Sequence, residues 1–99
     1  MSDLETRLAA LATAGQTISY GQLARDLGWP MARLTAELER LMEEDAARGA
    51  PLRAALVEAR LGNGLPARGF FDKAASLGLC PEDPATFVAT TRAALRAPA

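Results

Sequence analysis

The chain has 99 residues, which is enough for one compact domain and too few for two. It has no histidine and a single cysteine, Cys80, so it lacks the commonest general base and cannot form an internal disulfide or a cysteine-rich zinc site. We therefore expect no enzymatic activity, no metal and no cofactor, and the net charge of −1 gives no overall attraction to nucleic acid or to an anionic membrane.

The first helix is predicted to begin at a capping box formed by Ser2 and Glu5. In a capping box, the side chain of each of the two residues accepts a hydrogen bond from the backbone N–H of the other. Leucines at positions 4, 8 and 11 form one apolar stripe, and Gly15 suits the left-handed conformation that ends a helix. The short segment 16–18 then predicts a brief strand or extended link.

The next two helices are predicted to form a helix-turn-helix. Ser19 and Gln22 have the spacing of a second capping box, and Gly28 ends the helix that begins there. Trp29 and Pro30 form the turn, because the residue before a proline leaves the helical region. The third helix is predicted over about 30–48, with a buried stripe of five residues: Met31, Leu34, Leu38, Leu41 and Met42.

A small β-hairpin is predicted after Pro51. Residues 54–57 are apolar on both sides, as in a short covered strand. Asn63 and Gly64 both tolerate positive φ and are typical of a hairpin turn. The returning strand is expected over 69–71, and Asp72 is expected to cap a short helical turn that runs through Leu77.

The last helix is predicted to begin at Pro84, with Asp83 as its cap. Its inward face is expected to carry Phe87, Val88, Thr91, Ala94 and Leu95, and residues 97–99 are expected to fray. The order of elements predicts one mostly helical domain over 1–99: a winged helix-turn-helix with a small β-hairpin and additional C-terminal helices.

One stretch resembles the winged-helix domain of the O6-alkylguanine-DNA alkyltransferases and the alkyltransferase-like proteins. It comprises residues 17–24, TISYGQLA, followed by Gly28, Pro30 and Ala32. The resemblance implies the fold only, because 50–57 reads APLRAALV where those enzymes carry Pro-Cys-His-Arg, and Cys80 lies too far along the chain to replace that thiol. The segment 49–71 is more similar to small bacterial winged-helix modules of unassigned function.

The helix-turn-helix implies that the third helix enters the major groove of DNA, and the residues nearest the bases are then Arg33, Thr35, Glu37 and Arg40. Charge opposes this hypothesis. Between positions 31 and 49 there are three arginines and five acidic residues, a net of −2, whereas binding to a duplex depends on neutralising phosphates. The helix could equally serve as a scaffold or as a partner surface.

The predicted hairpin is the basic part of the chain. Within 50–73, Arg53, Arg60, Arg68 and Lys73 stand against two acidic residues, a net of +2. A wing that touches a phosphate backbone has this composition, and so does an ordinary solvated hairpin.

Two functions from different classes remain open. The first is a cytoplasmic DNA-binding or regulatory module whose contact with duplex DNA is weak and sensitive to salt. The alternative is a protein-interaction or dimerisation module, with Trp29 and Phe71 as its surface if their rings are exposed together. The apolar stretches are too short to span a membrane, and the first residues lack the pattern of a signal peptide.

Overall fold

The computed structural model describes residues 3–79 and 83–96. The predicted cap at Ser2, Cys80 and the predicted fraying of 97–99 lie outside these ranges. In chain order, the described elements are α1 (Asp3–Ala14), β1 (Ile18–Ser19), α2 (Tyr20–Leu27), α3 (Met31–Ala47), a 3-10 turn (Arg53–Leu56), β2 (Val57–Glu58), α4 (Arg68–Ser76) and α5 (Pro84–Arg96).

The positions of α1, α2 and α3 are confirmed. The hydroxyl of Ser19 accepts a hydrogen bond from the Gln22 amide at 3.1 Å, as the capping spacing predicts. Gly28 ends α2 with φ of +69°, a conformation that a residue with a side chain rarely adopts. Three residues then separate α2 from α3, so the two helices are joined by a tight turn.

The strand prediction is confirmed only in part. β1 and β2 are two residues long and pair in parallel, with Ile18 opposite Val57 and Ser19 opposite Glu58. The hydroxyl of Thr17 donates to the Glu58 carboxylate at 2.8 Å and continues the contact beyond the strands. This small sheet connects two segments that are distant in sequence.

The predicted β-hairpin is wrong. Asn63 and Gly64 do adopt positive φ, but the loop they form is closed by a backbone bond from Ala59 to Leu65, at 2.8 Å, and is not followed by a strand. Pro66 has no N–H to donate to a ladder. The expected returning strand 69–71 lies instead in α4.

α4 also begins four residues before the short helix that the sequence predicts at Asp72. The helical signal lies in the spacing of Phe70, Ala74 and Leu77, which places them on one face. Phe70 and Ala74 are buried and Leu77 is packed against the core. α4 therefore packs against the core through this face.

Leucines of α1 and α3 form the centre of the core, joined by residues of the 3-10 turn and by Val88 of α5. The prediction that Met31 is buried is wrong, because its side chain is 46% exposed. On α5, Val88 and Thr91 are buried and Phe87 and Leu95 half-buried, whereas Ala94, predicted inward, is exposed. Within 3–79 and 83–96, none of the helices is long and apolar enough to cross a membrane.

A buried carboxylate fixes the segment after α3. Asp45 is fully buried, and its Oδ2 accepts the backbone N–H of Arg53 at 3.0 Å. The guanidinium of Arg53 bonds to the same carboxylate and reaches Glu5 of α1 at 3.2 Å, while Arg48 donates to Asp45 at 2.6 Å. The bond to Asp45 is the main cause that raises the pKa of Arg53. These contacts explain why 53–56 forms a 3-10 turn where a strand was predicted.

Replacing Asp45 should therefore destabilise the protein strongly. Asp45→Ala removes the acceptor of the Arg53 N–H and leaves the partly buried guanidinium with Glu5 as its remaining carboxylate partner, and we expect a loss of about 3 kcal/mol in the free energy of unfolding. Urea unfolding followed by circular dichroism measures it. As a control, Glu44→Ala removes an exposed carboxylate of the same helix and should change stability by less than about 0.5 kcal/mol. Equal effects of the two substitutions would contradict this account.

Candidate nucleic-acid interface

α3, α4 and the loop 59–67 enclose a groove of about 360 Å³. Its buried lining is apolar and comes from Leu38, Met42, Ala54 and Phe70. Its exposed lining comes from Met31, Thr35, Arg60 and Gly69, and half-buried Glu39 also lines it. The groove therefore has an apolar floor and a rim that is polar except for Met31, and the rim includes residues of the first two turns of α3.

Tyr20 also lines the groove and fixes one of its walls. The phenol oxygen accepts the backbone N–H of Ala67 at 3.0 Å, which ties α2 to the residue before α4. Burial raises the pKa of the Tyr20 phenol, and the Ala67 bond and the charge of Arg92 offset part of that rise. Tyr20 is thus a packed structural residue rather than an exposed stacking surface.

The two aromatic residues of the alternative surface do not form an exposed patch. Trp29 is half-buried against the core, and the guanidinium carbon of Arg33 lies 4.2 Å from the centre of its ring. Phe71 is half-buried and meets Phe70 edge-on, with ring centres 5.1 Å apart. The exposed large apolar side chains within 3–79 and 83–96 are instead Met31 and Leu61.

Three of the cations predicted to contact nucleic acid are engaged with carboxylates. Arg40 bonds to Glu37 and Glu44, Lys73 lies 3.4 Å from Glu43, and Arg53 is bound to Asp45. These ion pairs also neutralise most of the acidic side chains of α3. Of its five acidic residues, Glu39 is the one that forms no ion pair with any described residue.

The other predicted residues remain accessible. Arg33 and Thr35 lie exposed on the first two turns of α3. Arg60 is exposed and makes no ion pair with the described part of the chain, and it shares the groove with Thr35. Arg68 is 93% exposed at the start of α4, at the long distance of 3.9 Å from Asp72. The structure therefore brings Thr35 and Arg60 together in the groove, whose lining does not include the paired cations Arg40, Arg53 and Lys73.

Sequence reasoning missed the start of α4, which borders the same groove. α3 and α4 begin after Pro30 and Ala67, and neither of these residues provides a side-chain cap. Neither helix has an acidic residue in its first turn. Met31 and Gly69, one from each first turn, both line the groove. Two positive helix ends therefore border one opening.

Among residues 3–79 and 83–96, no cluster of three or more histidine, cysteine, aspartate or glutamate side chains has an arrangement that could hold a metal ion. In comparisons with protein-family models, with curated proteins and with solved structures, nothing matched the chain.

The environment of Tyr20 can be tested directly because it is the one tyrosine of the chain. Its raised pKa means that the phenol should ionise at higher pH in the folded protein than in urea, where about 10 is expected. Absorbance at 295 nm against pH measures both titrations. Because the folded state holds the phenol proton more tightly, the protonated Tyr20 contributes to the stability of the fold. This contribution is fully present below the pKa of the unfolded state and is lost as pH rises through the pKa of the folded state. Coincident titrations would contradict the burial of the phenol.

Proposed function

We propose that the chain is a non-enzymatic helix-turn-helix module that binds duplex nucleic acid weakly through the face around the groove. In this proposal the loop 59–67 and the start of α4 take the place of a wing. The observation that carries it is the exposed first half of α3, which has no unpaired acidic residue before Glu39 and lies beside Arg60.

The turn between α2 and α3 supports a binding mode in which the N-terminal end of α3 faces the nucleic acid. A recognition helix meets base edges with its N-terminal residues, and here those residues are Met31, Arg33 and Thr35. Arg33 rests on Trp29, and an exposed contact of this type is worth only about 0.5–1 kcal/mol. The guanidinium is therefore able to leave the ring and reach a base edge or a phosphate.

The charges support weak binding rather than strong binding. Arg60 and Arg68 are the cations best placed for phosphates, and the uncapped amides at the starts of α3 and α4 add hydrogen-bond donors. Two neutralised phosphates give a slope of log affinity against log salt of about −2. Such a contact is far less sensitive to salt than that of a strongly basic repressor.

The apolar floor of the groove favours a second candidate, a protein-interaction or dimerisation module. Met31 is 46% exposed at the rim, and Leu38 and Met42 lie below it. An apolar side chain of a second copy of this chain would find contacts there that a phosphate backbone does not use. Light scattering over a range of protein concentrations distinguishes this candidate from the first.

Fluorescence anisotropy with a labelled duplex at low salt tests the proposed function. Arg60→Gln and Arg68→Gln should each weaken binding by about threefold to tenfold on every sequence and reduce the salt slope by about 1. Arg7→Gln removes the same charge from α1, where Arg7 is paired with Asp26, and should leave the affinity within about twofold. A flat titration at high protein concentration would exclude nucleic acid. A dimer that forms without DNA would favour the second candidate.

A further inference from the structure

A second cleft, of about 470 Å³, lies between the end of α1 and the end of α5. It shares no lining residue with the groove described above. Two arginines, Arg92 and Arg96, line it together with Gly15 and Thr17, and Leu56 of the 3-10 turn contributes an apolar wall. Because the arginines are four residues apart on α5, they lie on the same face of the helix.

Arg92 is held in place without an ion pair to any carboxylate of the described residues. Its Nε donates to the backbone oxygen of Ala55 at 2.7 Å, and its Nη2 is buried and forms no hydrogen bond with the described residues. Burial lowers the pKa of Arg92, and the charge of Glu58 acts in the opposite direction. Glu58 forms no ion pair with Arg92, and its carboxylate accepts the hydroxyl of Thr17. Among residues 3–79 and 83–96, therefore, no ion pair neutralises the Arg92 guanidinium.

Arg96 supplies the second cation. It is exposed and forms no ion pair within 3–79 and 83–96. Its guanidinium lies against Gly15, where a Cβ atom would be 3.0 Å from the guanidinium carbon. Gly15 has φ of +67°, so a glycine at this position both ends α1 and leaves room for Arg96. The backbone thereby allows Arg96 to lie along the same opening as Arg92.

We propose that this cleft binds the phosphate group of a small organic phosphate monoester. The exposed Arg96 guanidinium presents a planar fork of donors that matches phosphate oxygens, and the charge of Arg92 on the same helix face suits a dianion. Ala12, Leu56 and Ala93 provide apolar walls for the organic part of the ligand. The volume leaves room for an organic group attached to the phosphate. This proposal does not depend on the binding of nucleic acid.

Phenyl phosphate is a suitable probe because it joins a phosphate monoester to an apolar body. In a titration followed by 1H–15N NMR of the whole chain, it should shift the amides of Gly15 and Thr17 and the Nε signals of Arg92 and Arg96 in a saturable way. Inorganic phosphate should bind several-fold more weakly, because it has no apolar body to bury. Benzoate at equal affinity would overturn the assignment to phosphate, and competition by duplex DNA would place the cleft on the nucleic-acid face instead.

Substitutions decide whether the arginines carry the binding. Arg96→Gln changes an exposed side chain and should weaken phenyl phosphate by about tenfold, which is the loss of one charge-assisted contact. Arg92→Lys keeps the charge and loses the bond to Ala55 that positions it in the cleft, and we expect about fivefold weaker binding with an unchanged circular dichroism spectrum. Arg25→Gln removes an exposed arginine from α2 and should leave the affinity within about twofold. Unaltered affinity in Arg96→Gln, or no saturable shift in the unmodified chain, would overturn the proposal.

Discussion

The buried carboxylate of Asp45 fixes the 3-10 turn from which both surfaces are built. It accepts the backbone N–H and the guanidinium of Arg53, so the chain leaves α3 along one defined path. The next three residues contact different sides of the molecule. Ala54 lies under the groove, the oxygen of Ala55 holds Arg92, and Leu56 lines the cleft. One charge pair thus determines the position of two candidate sites.

Ion pairs between side chains of the chain itself decide which charges are available to a ligand. A carboxylate that is bonded to an arginine of its own chain repels a phosphate less, and that arginine attracts it less. α3 therefore has a neutral first half and a second half whose acidic side chains are mostly paired. The net charge of α3 therefore overstates the negative charge that a ligand meets at its surface. The number of arginines likewise overstates the positive charge that is available to a ligand.

Local signals in the sequence predicted the local structure well. The Ser19 cap, the glycine at the end of α2 and the leucine stripes depend on interactions within one or two turns, and the structure contains them. The segment 53–71 was predicted poorly because its conformation depends on distant partners. Asp45 lies eight residues from Arg53, and Tyr20 lies 47 residues from Ala67. The Asn-Gly turn was correctly placed, but a turn does not determine the conformation of the next segment, and Phe70, Ala74 and Leu77 favour a helix. The cleft had no sequence signal, because it depends on the way α5 packs against α1.

Native-state hydrogen exchange of the Arg53 amide tests the central role of Asp45 most directly. That N–H donates to a fully buried carboxylate, so it should exchange as slowly as the amide of Leu41 in the core of α3, through global unfolding. Exchange as fast as that of Asn63, in the exposed loop, would show that the turn opens independently of α3 and would contradict the account.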